Sequence, residues 1–155
     1  MKVQPAKNQD KKEFLITQKE AFPNLNSKKQ AIYFDNKIKN KEIFVVYEEG
    51  YAGHLCFGKH LLSPPFAKSV FVEEMAIKKK YQGKGFGSLL MKFLFSYCKK
   101  NKIGMVYVST ADYGDNKAIK FYEKLGFNII GSLKDIDPNS EYEHGQIFLG
   151  KILEI

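Results

Sequence analysis

Arginine is absent from this chain. All 25 basic side chains are lysine, set against 17 acidic ones for a net charge of +8. Without guanidinium groups the chain lacks the best tool for bidentate contact to guanine and for stacking on bases, so no sequence-specific nucleic-acid partner is expected. Lysine still neutralises phosphates without regard to sequence. The positive field also favours anionic ligands and disfavours basic peptide tails. Cysteine is scarce: Cys56 and Cys98 fall on separate predicted elements and make no metal spacing, and His54, His60 and His144 are scattered. No metal is expected, and two reduced, buried thiols fit a cytoplasmic protein. Long apolar runs are missing as well. The most apolar stretch, 88–98, is interrupted by Lys92 and too short to span a bilayer, and the polar start does not read as a signal peptide, so no membrane partner is expected.

What remains is a chain of 155 residues, 44% hydrophobic and 14% aromatic, which excludes a disordered or fibrous class. Its length suits one domain with a sizeable core. No repeat, linker or low-complexity tract interrupts it. The pattern predicts strands over 1–6, 42–48, 51–61, 67–78, 104–110, 127–131 and 143–153. Helices are expected over 10–22, 26–34, 85–100 and 116–125. In the first helix Phe14, Leu15, Gln18, Ala21 and Phe22 fall near one face. In the third, Leu89, Phe93 and Tyr97, with Leu90, Leu94 and Cys98, recur every four residues.

The most informative segment is 72–90, a strand, a glycine-rich turn and the start of a helix. Gly83, Gly85 and Gly87 remove the Cβ at alternate positions, and Lys84 adds a point charge. The free N–H groups and dipole of a helix N-terminus complete an anion cradle. A nucleoside-triphosphate loop would need Ser or Thr where Gly85 stands, and a dinucleotide fingerprint would need glycine at Ser88. Neither fits, whereas Gln82-Gly-Lys-Gly-Phe-Gly87 makes a Gln-x-x-Gly-x-Gly pattern. A second block, 116–127, reads as a capped helix with Asp115 or Asn116 at its start, Gly126 as its left-handed stop, and a stripe of Ala118, Phe121, Tyr122 and Leu125.

These two blocks, in this order, resemble the GNAT family of N-acetyltransferases. The resemblance implies an α/β fold of order β-α-α-β-β-β-α-β-α-β-β, with a mixed sheet of six to seven strands and about four helices. It implies a single domain over 1–155, with an acceptor-side half at 1–66, an acetyl-CoA-binding core at 67–130 and closing strands at 131–155. Carried over residue by residue, it implies that acetyl-CoA meets Met75, Ala76 and Ile77 along its pantetheine arm. Its pyrophosphate would meet Gln82, Gly83, Lys84, Gly85, Phe86, Gly87 and Ser88. Asn116, Ile119 and Tyr122 would contact the coenzyme too, with Tyr122 at the sulfur.

The implied reaction is acetyl transfer to a primary amine, with a small-molecule acceptor, by direct attack in a ternary complex. Tyr122 would act as acid or hydrogen-bond donor to the leaving thiolate. Glu73 or Glu74 is the base or recognises a cationic substrate. On a regular strand these two face opposite sides, and parity with Met75 and Ile77 favours Glu73. A polyamine would suit the pair, while an amino sugar, an amino acid or a protein N-terminus remains open. Phe22, Tyr33, Phe34 and Tyr51 are candidate acceptor-pocket residues. A non-catalytic acyl-CoA sensor and a protein acetyltransferase are the alternative functions, and a homodimer is compatible with the resemblance.

Overall fold

The computed structural model describes residues 1–61, 68–112, 115–133 and 145–154, with the side chains of 60 and 61 left aside. The fold is mixed α/β. Its strands are β1 (Lys2–Pro5), β2 (Ile43–Tyr47), β3 (Tyr51–Leu61), β4 (Lys68–Ile77), β5 (Met105–Ala111), β6 (Asn128–Leu133) and β7 (Gln146–Ile152). Its helices are α1 (Lys11–Ala21), α2 (Ser27–Asn40), α3 (Phe86–Lys100) and α4 (Lys117–Lys124). The strands lie in the order β1-β2-β3-β4-β5-β7-β6. The expected element order and sheet size hold. The first residue of the strand expected over 67–78 and the first two of the strand expected over 143–153 lie outside the described residues.

Two compact units divide the chain, Met1–Gly58 with Glu73–Tyr97, and Lys59–Val72 with Cys98–Ile155. In the first, β1, β2 and β3 pair antiparallel, with Val46 opposite Val3 on one side and Gly53 on the other. Every residue of β2 but the last is buried, as suits a strand covered on both faces. Ile43 and Val45 join Phe14 of α1 and Phe34 of α2 in one core cluster, where those two rings sit 5.0 Å apart. Phe44, of opposite parity, instead meets Phe93 and Tyr97 of α3 at 4.8 and 5.5 Å. The four-residue repeat of α3 is its buried stripe, with Leu90, Leu94 and Cys98 fully buried. Each fully buried aliphatic or aromatic side chain contributes about 1.5–3 kcal/mol.

Two expectations need correction here. The second helix does not stop at residue 34 but continues to Asn40, because no glycine or proline marks its end. Lys41 closes it instead, in the left-handed conformation at φ 57°. On α1, Phe14, Thr17 and Gln18 are the buried residues, whereas Ala21 and Phe22 are exposed.

In the second unit β4 runs parallel to β5, from the Ser69–Met105 pair to the Val72–Val108 pair, while β4 itself continues to Ile77. β7 then pairs antiparallel with both β5 and β6. The helix α4 has Asn116 as its cap, and Gly126 takes φ +82° just past its end, as the sequence pattern required.

Candidate functional site

The loop between β4 and α3 is built from backbone. A single 3-10 turn, Lys79–Tyr81, ends β4, and Tyr81 packs its ring 5.1 Å from that of Phe86. Gln82 folds back to donate to the Ile77 carbonyl at 2.9 Å, which ties the loop to the strand end. Gly83 and Gly85 both adopt left-handed conformations, at φ +73° and +86°, where a Cβ is strained. A Cβ at either would meet nothing within 4 Å, so backbone conformation and not packing calls for glycine. The Gly85 carbonyl accepts the Leu89 N–H at 3.0 Å. The N–H groups of Phe86, Gly87 and Ser88 therefore precede the first bond of the helix and have no partner within it. No acidic residue stands in that first turn. Residues 82–85 are exposed with Lys84 among them, and together these features fit a phosphorylated ligand. Gly87 differs from the other two glycines: it lies inside α3 and needs no left-handed freedom.

Upstream on β4, the two glutamates have distinct surroundings. Glu73 accepts from the Tyr33 hydroxyl at 2.6 Å and from the Lys37 ammonium at 2.6 Å. Lys37 is itself nearly buried and also donates to the Phe57 carbonyl at 2.8 Å and to Glu42 at 3.2 Å, so its three N–H groups match three acceptors. Glu74 accepts from Gln18 Nε2 at 2.7 Å and lies 3.8 Å from His54 Nε2. Burial, ahead of any charge, pushes its carboxyl above the ordinary range. The two carboxylates do not part to opposite sides as strict strand alternation implied. Lys37 of α2 draws one and Gln18 of α1 the other.

His54, Cys56 and Glu74 come within 4.8 Å of one another, a juxtaposition the scattered histidines and cysteines gave no sign of. His54 is fully buried, and burial pushes its imidazole down to about 3, so it is neutral. Burial also pushes the Cys56 thiol well up. Both His54 nitrogens already have partners, Tyr51 OH at 2.8 Å and Gln18 Oε1 at 3.2 Å, so the trio is a satisfied hydrogen-bonded cluster. Among the expected acceptor-pocket aromatics, Phe34 is wholly core, Tyr51 is turned to His54 and Tyr33 to Glu73. Phe22 lines a small cavity, together with Leu15, Gln18, Lys19, Leu25, Ser27 and Gln30.

On α4, Tyr122 is buried beside Phe121 and Phe127, and burial pushes its phenol up to about 12. Asn116 spends its side chain on the chain itself. Its oxygen caps Ala118 N at 2.9 Å, and its amide donates to Thr110 Oγ1 at 2.9 Å and the Ala111 carbonyl at 2.6 Å. Both amide hydrogens are thereby placed within the chain. Ile119 is half-buried one turn before Tyr122.

Gln18, Gln30, Lys37, His54 and Cys56 were not singled out from sequence as site residues. The signal available was a polar residue at a position whose period is otherwise apolar, as Gln18 is on α1 and His54 on β3.

Fold and loop together define an acyl-CoA-dependent N-acyltransferase. The chain belongs to the acetyltransferase (GNAT) family, whose model matches residues 11–127. It is similar in structure to the ribosomal-protein-alanine N-acetyltransferase of Brucella melitensis, at TM-score 0.82 and 18% identity over 99% of this chain and 100% of that one. An N-acetyltransferase of Staphylococcus aureus Mu50 matches at TM-score 0.82 and 21% identity, over 99% and 98%. An aminoglycoside 6'-N-acetyltransferase complexed with coenzyme A matches at TM-score 0.81 and 14% identity, over 100% and 98%. Among the described residues, no helix is long and apolar enough to cross a membrane.

Proposed function

We propose that this chain moves an acetyl group from acetyl-CoA to the primary amine of a small molecule, by direct attack in a ternary complex, with Glu74 as base. The observation that carries this reading is the sequence of features on one strand and its following turn. A half-buried carboxylate with a raised pKa stands at Glu74, the Met75, Ala76 and Ile77 backbone follows, and the anion cradle at 82–88 comes next.

A lysine-like amine has a pKa near ~10.4, so it arrives protonated and must lose a proton before it can attack. Glu74 takes that proton, directly or through water, and its raised pKa brings it nearer to neutral pH than an ordinary carboxylate. Attack on the thioester carbonyl creates an oxyanion, which a backbone amide of β4 stabilises. To the departing sulfur we assign Tyr122, the role the family resemblance implies. A phenol at about 12 is a weaker acid than an ordinary thiol near ~8.5, so Tyr122 holds its proton and stabilises the thiolate by donating a hydrogen bond. Gln82 through Ser88 hold the pyrophosphate. Asn116 shapes the start of α4 through its cap and its two amide hydrogen bonds.

Glu73 is the weaker candidate for base, since its charge is already matched by Lys37. That pairing also removes the ground for a polyamine acceptor, which needed two available carboxylates. The lining of the cavity beside Gln18 has Lys19 as its charged member, which suits a neutral or anionic amine better than a polycation. The two buried free cysteines suit a reducing compartment, and we place the protein in the cytoplasm.

The test is release of coenzyme A thiol from acetyl-CoA on adding amino acids, aminoglycosides, diamines and short peptides. Amine-dependent release supports transfer. Tight coenzyme binding with no release across the panel would favour a sensor of the same fold.

A further inference from the structure

A line of side chains behind Glu74 has no place in the reaction as described so far. Tyr51, His54 and Gln18 run from the core to the carboxylate, with the His54 ring 4.5 Å from that of Phe14. Their hydrogens can be counted. Gln18 Nε2 carries two, and it meets two acceptors, Glu74 Oε1 at 2.7 Å and Gln30 Oε1 at 2.9 Å. Gln18 Oε1 is then left to accept, so His54 supplies the proton from Nε2 across 3.2 Å. A neutral imidazole with Nε2–H has a bare Nδ1, and the Tyr51 hydroxyl donates to it at 2.8 Å. Every bond from Tyr51 to Glu74 thus points the same way. Turning the Gln18 amide over would set its oxygen against the carboxylate and its NH₂ against the imidazole N–H.

The geometry points to Tyr51, His54 and Gln18 as a one-way hydrogen-bond relay that locks the Gln18 amide with its N–H on Glu74 and so keeps Glu74 ionised and aimed as a base. This rests on the reading of Glu74 as the base, and it makes the three positioning residues rather than catalytic ones. The other groups facing Glu74 come from three elements. Lys37 of α2 favours the carboxylate, Glu73 on its own strand disfavours it, and a hydrogen bond with Cys56 of β3 favours it. His54 carries no charge to add. Tyr33 of α2 is engaged with Glu73. With burial opposing ionisation, the Gln18 N–H leads the groups that resist it.

The experiment is a carbon-13 NMR titration of the Glu74 carboxyl in the free protein, assigned by its loss in Glu74→Gln, for wild type, Gln18→Met and Tyr51→Phe. A hydrogen bond to a charged group is worth roughly one pKa unit or more, so the Gln18→Met midpoint should rise by about that much. Tyr51→Phe, which keeps the ring and its packing and lies two side chains away, should raise it by less. Nitrogen-15 NMR of the His54 ring should show Nε2–H in wild type and a mixture of tautomers in Tyr51→Phe. An unmoved Glu74 midpoint in both variants, or an Nδ1–H ring in wild type, overturns the relay. The base reading fails separately: Glu74→Gln with wild-type thiol release would remove it whatever the midpoints show.

Discussion

The loop at 82–88 and the carboxylate pair at Glu73 and Glu74 lie close in sequence and are built on opposite physical terms. The loop is built from backbone, exposed over 82–85. Its shape is set by two left-handed glycines and by N–H groups that precede the first bond of a helix. The glutamates are side chains placed by partners on α1, α2 and β3, up to 56 positions away in the chain. One region is stated by local sequence, and the other comes into being only when the fold closes. Two adjacent glutamates with the same chemistry acquire different surroundings that way, one paired with Lys37 and one held under an amide.

The sharpest test of that contrast is to treat the two glutamates alike. Glu74→Gln is expected to lower kcat by at least about 10²-fold with acetyl-CoA affinity kept, the scale of a positioned proton acceptor. Glu73→Gln should instead leave kcat within a few-fold and lower stability, since it strips a buried ammonium of a carboxylate partner. Equal losses of kcat in both, measured by thiol release, would erase the distinction.

Within the loop, Gly85→Ala puts a Cβ on a residue at φ +86° and should cost about 1–2 kcal/mol of local strain, read as a roughly tenfold weaker acetyl-CoA affinity by calorimetry. Gly87→Ala sits inside a helix, where alanine is preferred over glycine by roughly 0.5–1 kcal/mol. If it leaves thermal stability equal or higher and still weakens the coenzyme, close backbone approach is its role. If affinity is unchanged, the cradle needs two glycines and not three.

With Tyr122 in its proposed role as donor to the leaving sulfur, Tyr122→Phe should lower kcat by roughly tenfold, with coenzyme affinity nearly kept. Since the phenol stays protonated to about 12, the wild-type rate should show no alkaline limb from Tyr122 below that range.

The smallest effect is on stability. The folded state holds His54 neutral, with its pKa pushed from 6.5 down to about 3. A depressed folded value means this stabilisation is complete above 6.5 and is lost as pH falls toward 3. Glu74 has the opposite sign, because its raised pKa makes the protonated form the better folded one. Urea midpoints of wild type and His54→Leu, compared across that window, should converge as pH falls. Parallel curves would mean the imidazole is not held neutral.

How much of this was legible depended on where the information lay. Spacing alone placed β3 and left α3 one residue off, because hydrophobic period and turn residues are local. The full length of α2 was not legible, since Lys41 ends it in a conformation that lysine rarely signals. A cap at Asp115 or Asn116 was legible locally, and Asn116 is the one that fills it, with its amide donating to Thr110 and Ala111. Gln18, Lys37 and His54 read as ordinary members of a helix or strand. Their meaning comes from contacts that no short window of sequence contains.

The most direct measurement is calorimetric titration of the protein with acetyl-CoA, with ATP as the comparison ligand and Gly85→Ala as the comparison chain. One acetyl-CoA site per chain, little affinity for ATP and weaker binding in the variant are the expected results. No acetyl-CoA binding up to millimolar concentration, or equal binding by Gly85→Ala, would contradict the proposed site.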